Sequence, residues 1–86
     1  MDLSSKALKL AHKASSYHRL ARSQSDLCGC FYCEATFRPE EIRQYTDRAQ
    51  TALCPRCSID SVIPSASGYA LTPQFLSAME KYWFAE

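Results

Sequence analysis

Three observations predict a small α+β domain built around a four-cysteine metal site. Cys30-Phe31-Tyr32-Cys33 is followed, after twenty residues, by Cys54-Pro55-Arg56-Cys57. A helical pattern precedes this block and another follows it. Between the cysteine pairs lie only short extended stretches broken by turn residues. Eighty-six residues make a single domain, 1–86, read as an N-terminal helix over 4–23, a finger over 27–64 and a C-terminal helix over 72–84. A chain this short builds only a modest core and often adds a metal or a partner.

Two Cys-x-x-Cys pairs at this separation match a four-thiolate zinc site. Zinc takes four soft ligands at tetrahedral corners, and two knuckle turns close the sphere without leaving a position for substrate or water. The metal ligands expected are Cys30, Cys33, Cys54 and Cys57, holding one structural zinc; the spacing alone does not separate zinc from iron. Cys28 is left over. It is an alternative ligand to Cys30, but a single-residue gap strains the turn, whereas the x-x spacing lets intervening amides donate to sulfur. An odd number of cysteines and no hydrophobic leader argue against a secreted, disulfide-bonded protein. A thioredoxin-type redox pair would need a strand-to-helix turn in a longer alternating chain. The compartment expected is the cytoplasm, and no apolar run approaches the length of a membrane span.

Along residues 4–23, Ala7, Leu10, Ala11, Ala14, Tyr17 and Ala21 recur at three- and four-residue steps, with Leu3 and Leu20 nearby. Ser4 or Ser5 caps the start. The alanine-rich stripe suits close approach to another element. His12 and His18 lack the i, i+4 spacing of helical metal ligands and are expected as ordinary surface or partly buried side chains.

In the finger, Gly29 eases the backbone into the first knuckle, and Ala35-Thr36-Phe37 leaves it as a strand. Pro39-Glu40-Glu41-Ile42 reads as a turn or a single helical turn. Tyr45-Thr46 and Thr51-Ala52-Leu53 are extended around the turn Asp47–Gln50. A short helix over 58–63, ended by Pro64, is expected to carry the second cysteine pair at its head, where free amides and the helix dipole stabilise thiolates. Knuckle, hairpin and helix together form a treble-clef-like finger. After the loop 65–68, Thr72 caps a helix whose first residue is Pro73. Phe75, Leu76, Met79 and Trp83 share one face, a pattern more often core than binding site.

The block Cys28-Gly29-Cys30-Phe31-Tyr32-Cys33, with Phe37, Pro39-x-Glu41-Ile42, Asp47 and the run from Thr51 through Cys54-Pro55-Arg56-Cys57 to Ile63, resembles a family of small, functionally uncharacterised bacterial cytoplasmic proteins of zinc-finger-like, treble-clef pattern. The resemblance spans about residues 15 to 84. It implies a bacterial or phage-borne cytosolic protein with a structural zinc, and no activity. Ser58 stands where such sequences often carry glycine.

The net charge is only +1, yet residues 1–24 carry Lys6, Lys9, Lys13, Arg19 and Arg22 against Asp2 alone. The footprint is too weak for a dedicated nucleic-acid binder. Five Tyr, four Phe and one Trp favour a protein-interaction module, since aromatics dominate binding hot spots. The alternative is nucleic-acid binding through the basic first helix. Candidate partner-binding residues are Lys6, Lys9, Lys13, Arg22, Trp83 and Phe84. No membrane and no small-molecule substrate are expected. Nor is enzymatic activity: residues 34–57 hold neither His nor Asn for the chemistry of HNH-type nucleases, a closed four-cysteine zinc cannot activate water, and no base pairs with Cys28.

Overall fold

A computed structural model describes residues 3–84. A three-stranded antiparallel sheet organises them, ordered β2-β1-β5, with β1 at Cys28–Cys30, β2 at Thr36–Phe37 and β5 at Val62–Pro64. A separate hairpin pairs β3, Tyr45–Thr46, with β4, Thr51–Ala52. Helices α1 (Ser5–His12), α2 (Arg19–Ser23) and α3 (Pro73–Trp83) complete the fold. Single 3₁₀ turns lie at Lys13–Ser15, Pro39–Glu41 and Ser65–Ser67.

Strand alternation sends neighbouring side chains to opposite faces, and here that divides the interior in two. Cys28, Cys30 and Val62 face a cluster with Phe37, Ile42, Ala52 and Cys54. Ile63 faces the other cluster, formed with Leu8 and Ala11 of α1, Phe31, and Phe75, Leu76 and Met79 of α3. Gly29 lies between the two cysteines, and a Cβ there would sit 3.2 Å from Leu76 Cδ2. Its small size seats α3 against β1. The close approach, rather than an unusual backbone angle, is the reason for glycine.

Helix α3 begins as its sequence requires: Thr72 Oγ1 accepts the Phe75 N–H at 3.1 Å, and Pro73 occupies the first turn, where its missing N–H costs nothing. Ser4 caps α1 in the same way, accepting from Ala7 N–H at 3.2 Å.

Two expected elements are corrected. The helix over 4–23 is interrupted: after the 3₁₀ turn, Ser16 is extended and Tyr17 has a φ of 49°. The donors that would continue the helix are taken by the β4 hairpin. Tyr17 N–H donates to Thr51 Oγ1 at 2.9 Å and His18 N–H to the Gln50 carbonyl at 2.9 Å. Leu10, Tyr17 and Leu20 are exposed, while Leu8, outside the expected stripe, is buried.

The second correction concerns the helix over 58–63. Those residues are not helical; the chain runs on into β5, which pairs antiparallel with β1 through Cys28↔Pro64, Gly29↔Ile63 and Cys30↔Val62. Pro64 closes an edge strand, where its lack of an N–H is tolerated. The second cysteine pair therefore sits on a turn leading to a strand, and the treble-clef helix is absent from the described residues.

Candidate metal centre

Two knuckles of matching construction, one after β1 and one after β4, bring their cysteines together. In the first, Cys30 N–H donates to the Ala35 carbonyl at 2.9 Å; in the second, Cys54 N–H donates to the Ile59 carbonyl at 3.0 Å. Tyr32 N–H points at Cys30 Sγ at 3.4 Å, and Arg56 N–H at Cys54 Sγ at 3.3 Å. Backbone N–H groups of Ala35 and Ile59 likewise serve Cys33 and Cys57. A sulfur surrounded by amide donors holds negative charge at lower cost, which is the electronic requirement of a metal thiolate.

The four sulfurs converge within 4.8 Å of one another. Cys30 and Cys57 Sγ stand 3.6 Å apart, and Cys33 and Cys54 Sγ 3.7 Å. A tetrahedral zinc with Zn–S near 2.3 Å has an S···S edge of about 3.8 Å. These separations match that edge and are far from a disulfide bond; all five cysteines are free thiols. The donor set fits one metal ion.

Protonation reflects the same geometry. Burial pushes the Cys30 thiol up, against the pull of the Cys33 and Tyr32 amides. Burial raises Cys57 as well, partly opposed by the Ile59 amide. At Cys33, burial would raise the thiol, but the Ala35 amide and neighbouring thiols together carry it below its ordinary value.

Cys28 stands outside this group. It is fully buried, and desolvation pushes its thiol up to about 11. It packs with Phe37, Ile42 and Val62 as a small hydrophobe.

Compared with known proteins, the chain matches no family model, no curated protein and no solved structure.

Around the centre, α2 braces the β3–β4 hairpin. His18 Nδ1–H donates to the Ala14 carbonyl at 2.8 Å and Nε2 accepts the Ala52 N–H at 3.0 Å, a pairing that fixes a neutral imidazole. Arg22 Nη2 donates to the Ala49 carbonyl at 2.9 Å, and its guanidinium lies 4.7 Å from the Tyr45 ring centroid. Arg22, expected as a partner-binding base, is thus buried and structural. Its burial was not legible in a helix pattern, because its partners lie on a turn far along the chain. Arg56 makes an ion pair with Glu41 at 2.7 Å, tying the second knuckle to the 39–41 turn.

Lys6, Lys9 and Lys13 are exposed. Trp83 and Phe84, each 37% exposed, take part in two groups of aromatic contacts, one on α1 and one on the first knuckle. Trp83 lies 4.2 Å from the His12 ring and its Nε1–H reaches the Leu8 carbonyl at 3.4 Å. Phe84 meets Tyr32 edge-on at 4.8 Å, and Tyr82 meets Trp83 at 5.1 Å. Tyr32, between the first two ligands, was not singled out in the sequence; it is 46% exposed.

Among the described residues no helix is long and apolar enough to cross a membrane.

Proposed function

We propose that this chain is a small structural-zinc protein acting as a protein-interaction module. The observation that carries the reading is the set of part-exposed aromatics Tyr32, Tyr82, Trp83 and Phe84, of which Tyr32 and Phe84 pack together on the knuckle that the metal would rigidify. Half-exposed aromatics on a rigid base bury large area on binding and lose little side-chain entropy. The metal's part is structural: Cys30, Cys33, Cys54 and Cys57 fill a tetrahedral sphere, which leaves no position for substrate and supports a non-enzymatic role. Free thiols fit a reducing compartment such as the cytoplasm.

The nucleic-acid alternative keeps Lys6, Lys9 and Lys13, which are exposed, but loses Arg22 to the hairpin. That leaves few charges for phosphate contacts and favours the protein reading.

The test is affinity purification of the tagged chain with and without nuclease treatment. A protein that persists after nuclease, and is lost from a Tyr32→Ala, Phe84→Ala double variant with full metal content, is the expected result. Loss of all co-purifying material to nuclease overturns the reading in favour of nucleic acid.

A further inference from the structure

The four sulfurs of the metal centre are not equally sheltered. Cys30 ends β1 and Cys54 follows β4, and both are buried. Cys57 is half-buried, whereas Cys33 is exposed, in an exposed run with Tyr32 and Glu34. Each knuckle holds its first cysteine inside and its second towards solvent, and the first knuckle is the more open of the two. Cys28, the fifth cysteine, is sealed in the core.

A cysteine that binds a metal does so as the thiolate, which is also its nucleophilic form. A ligand sulfur that reaches solvent is therefore available to an electrophile, while its buried partners are shielded. Redox-sensing cysteines combine such access with a second cysteine poised to resolve the oxidised sulfur. Cys33 has that neighbour: Cys54 Sγ stands 3.7 Å from Cys33 Sγ, across the centre in the opposite knuckle.

We infer that Cys33 is a peroxide-sensitive modification site through which the centre gives up its metal, with Cys54 as the resolving cysteine. The inference rests on the structural-metal reading above, and not on the aromatic residues being an interface. The Cys33 thiolate attacks a peroxide oxygen; the O–O bond breaks, hydroxide leaves, and Cys33 becomes a sulfenic acid. The Cys54 thiolate then attacks the Cys33 sulfur. The S–O bond breaks and a second hydroxide leaves as the Cys33–Cys54 disulfide forms. Two electrons pass from the sulfurs to the peroxide. Only Cys30 and Cys57 then remain as ligands, too few to hold a structural ion.

The test begins with the chain purified under reducing conditions and its metal content measured by elemental analysis. Hydrogen peroxide is added in the presence of a chromogenic chelator, and disulfides are mapped by mass spectrometry. The expected result is loss of the metal in step with a Cys33–Cys54 disulfide, reversed by dithiothreitol, with Cys28 unoxidised. Cys28→Ser should lose its metal at the rate of the parent chain. In a second arm, limiting iodoacetamide should label Cys33 first and Cys57 next, with Cys28, Cys30 and Cys54 protected until the chain is denatured. First label on another cysteine, even labelling of the four ligands, a disulfide that omits Cys33, or oxidation that leaves the metal bound overturns the assignment. A reduced chain that carries no metal overturns the structural-metal reading and this inference with it.

Discussion

Glu34 and Ser58 hold the same backbone conformation at the same place in the two halves of the metal centre, with φ of 64° and 67°. Each follows the second cysteine of its knuckle. The left-handed turn brings the next amide, of Ala35 or Ile59, back onto the cysteine sulfur. Glycine adopts this geometry freely, whereas an L side chain is strained in it.

Glu34→Gly and Ser58→Gly should therefore each raise stability, by about 0.5–1 kcal/mol after the entropy of the more flexible unfolded chain is included. Ser58→Val should lower it, because a β-branched residue is a steric outlier there. Thermal melts of the metal-loaded protein check the signs. A drop in melting temperature for both glycine variants would mean the turns carry no strain.

Removal of metal should unfold the cysteine half of the domain. Structural zinc contributes on the order of 10 kcal/mol, more than so small a core can replace. Cys30→Ser, Cys33→Ser, Cys54→Ser and Cys57→Ser should each abolish stoichiometric zinc in elemental analysis. Cys28→Ser should keep one zinc per chain and cost only packing. Metal loss in Cys28→Ser with retention in Cys30→Ser would reverse the ligand assignment.

Stability should fall with acid partly through His18. Burial is the main force holding its pKa below 6.5, with the Arg22 charge adding to it and the Ala14 carbonyl opposing. The unfolded chain binds the proton more readily, so stability rises with pH across this window. The contribution is complete above pH 6.5 and is lost progressively as the pH falls from there towards the folded value. Protonated Nε2 can no longer accept from Ala52 N–H. A His18→Gln variant should show a shallower fall over this range in denaturant melts; an identical slope would remove His18 as the sensor.

The knuckles, the β3–β4 hairpin and α3 were legible in the sequence because each depends on local chemistry: paired cysteines, a turn between extended residues, Thr72 before Pro73. The break after α1 was not. Its cause is the use of Tyr17 and His18 amides by Gln50 and Thr51, which no local pattern records. Val62-Ile63 is a short apolar run, equally at home in a helix or a buried strand. Its pairing with Cys28–Cys30 decided the matter. Arg22 misled for a related reason, since a basic residue on an amphipathic pattern gives no sign that a carbonyl at Ala49 awaits it.

Trp83 separates core from surface within one helix. Met79 is fully buried in the α1–α3 cluster, and Met79→Ala should cost about 2–5 kcal/mol. Trp83 retains a third of its surface and leans on His12, so Trp83→Ala should cost roughly 1–2 kcal/mol, less than a fully buried aromatic. Equal losses in urea melts would place Trp83 in the core and remove it from the partner-binding surface.

The basic segment distinguishes the two readings of function most directly. Lys6, Lys9 and Lys13 are exposed, and the Tyr17–His18 break separates their segment from the buried Arg22. With three phosphate contacts, affinity for duplex DNA should fall no more than about 500-fold over a tenfold rise in salt. Neutralising all three to glutamine should leave zinc content and melting temperature unchanged, because none packs in either core cluster. The protein-interaction reading expects weak, salt-sensitive DNA binding and a protein complex indifferent to the triple change. A submicromolar nucleic-acid complex at physiological salt, abolished by that change, would instead assign these lysines to phosphates and the neighbouring Trp83 and Phe84 to base stacking.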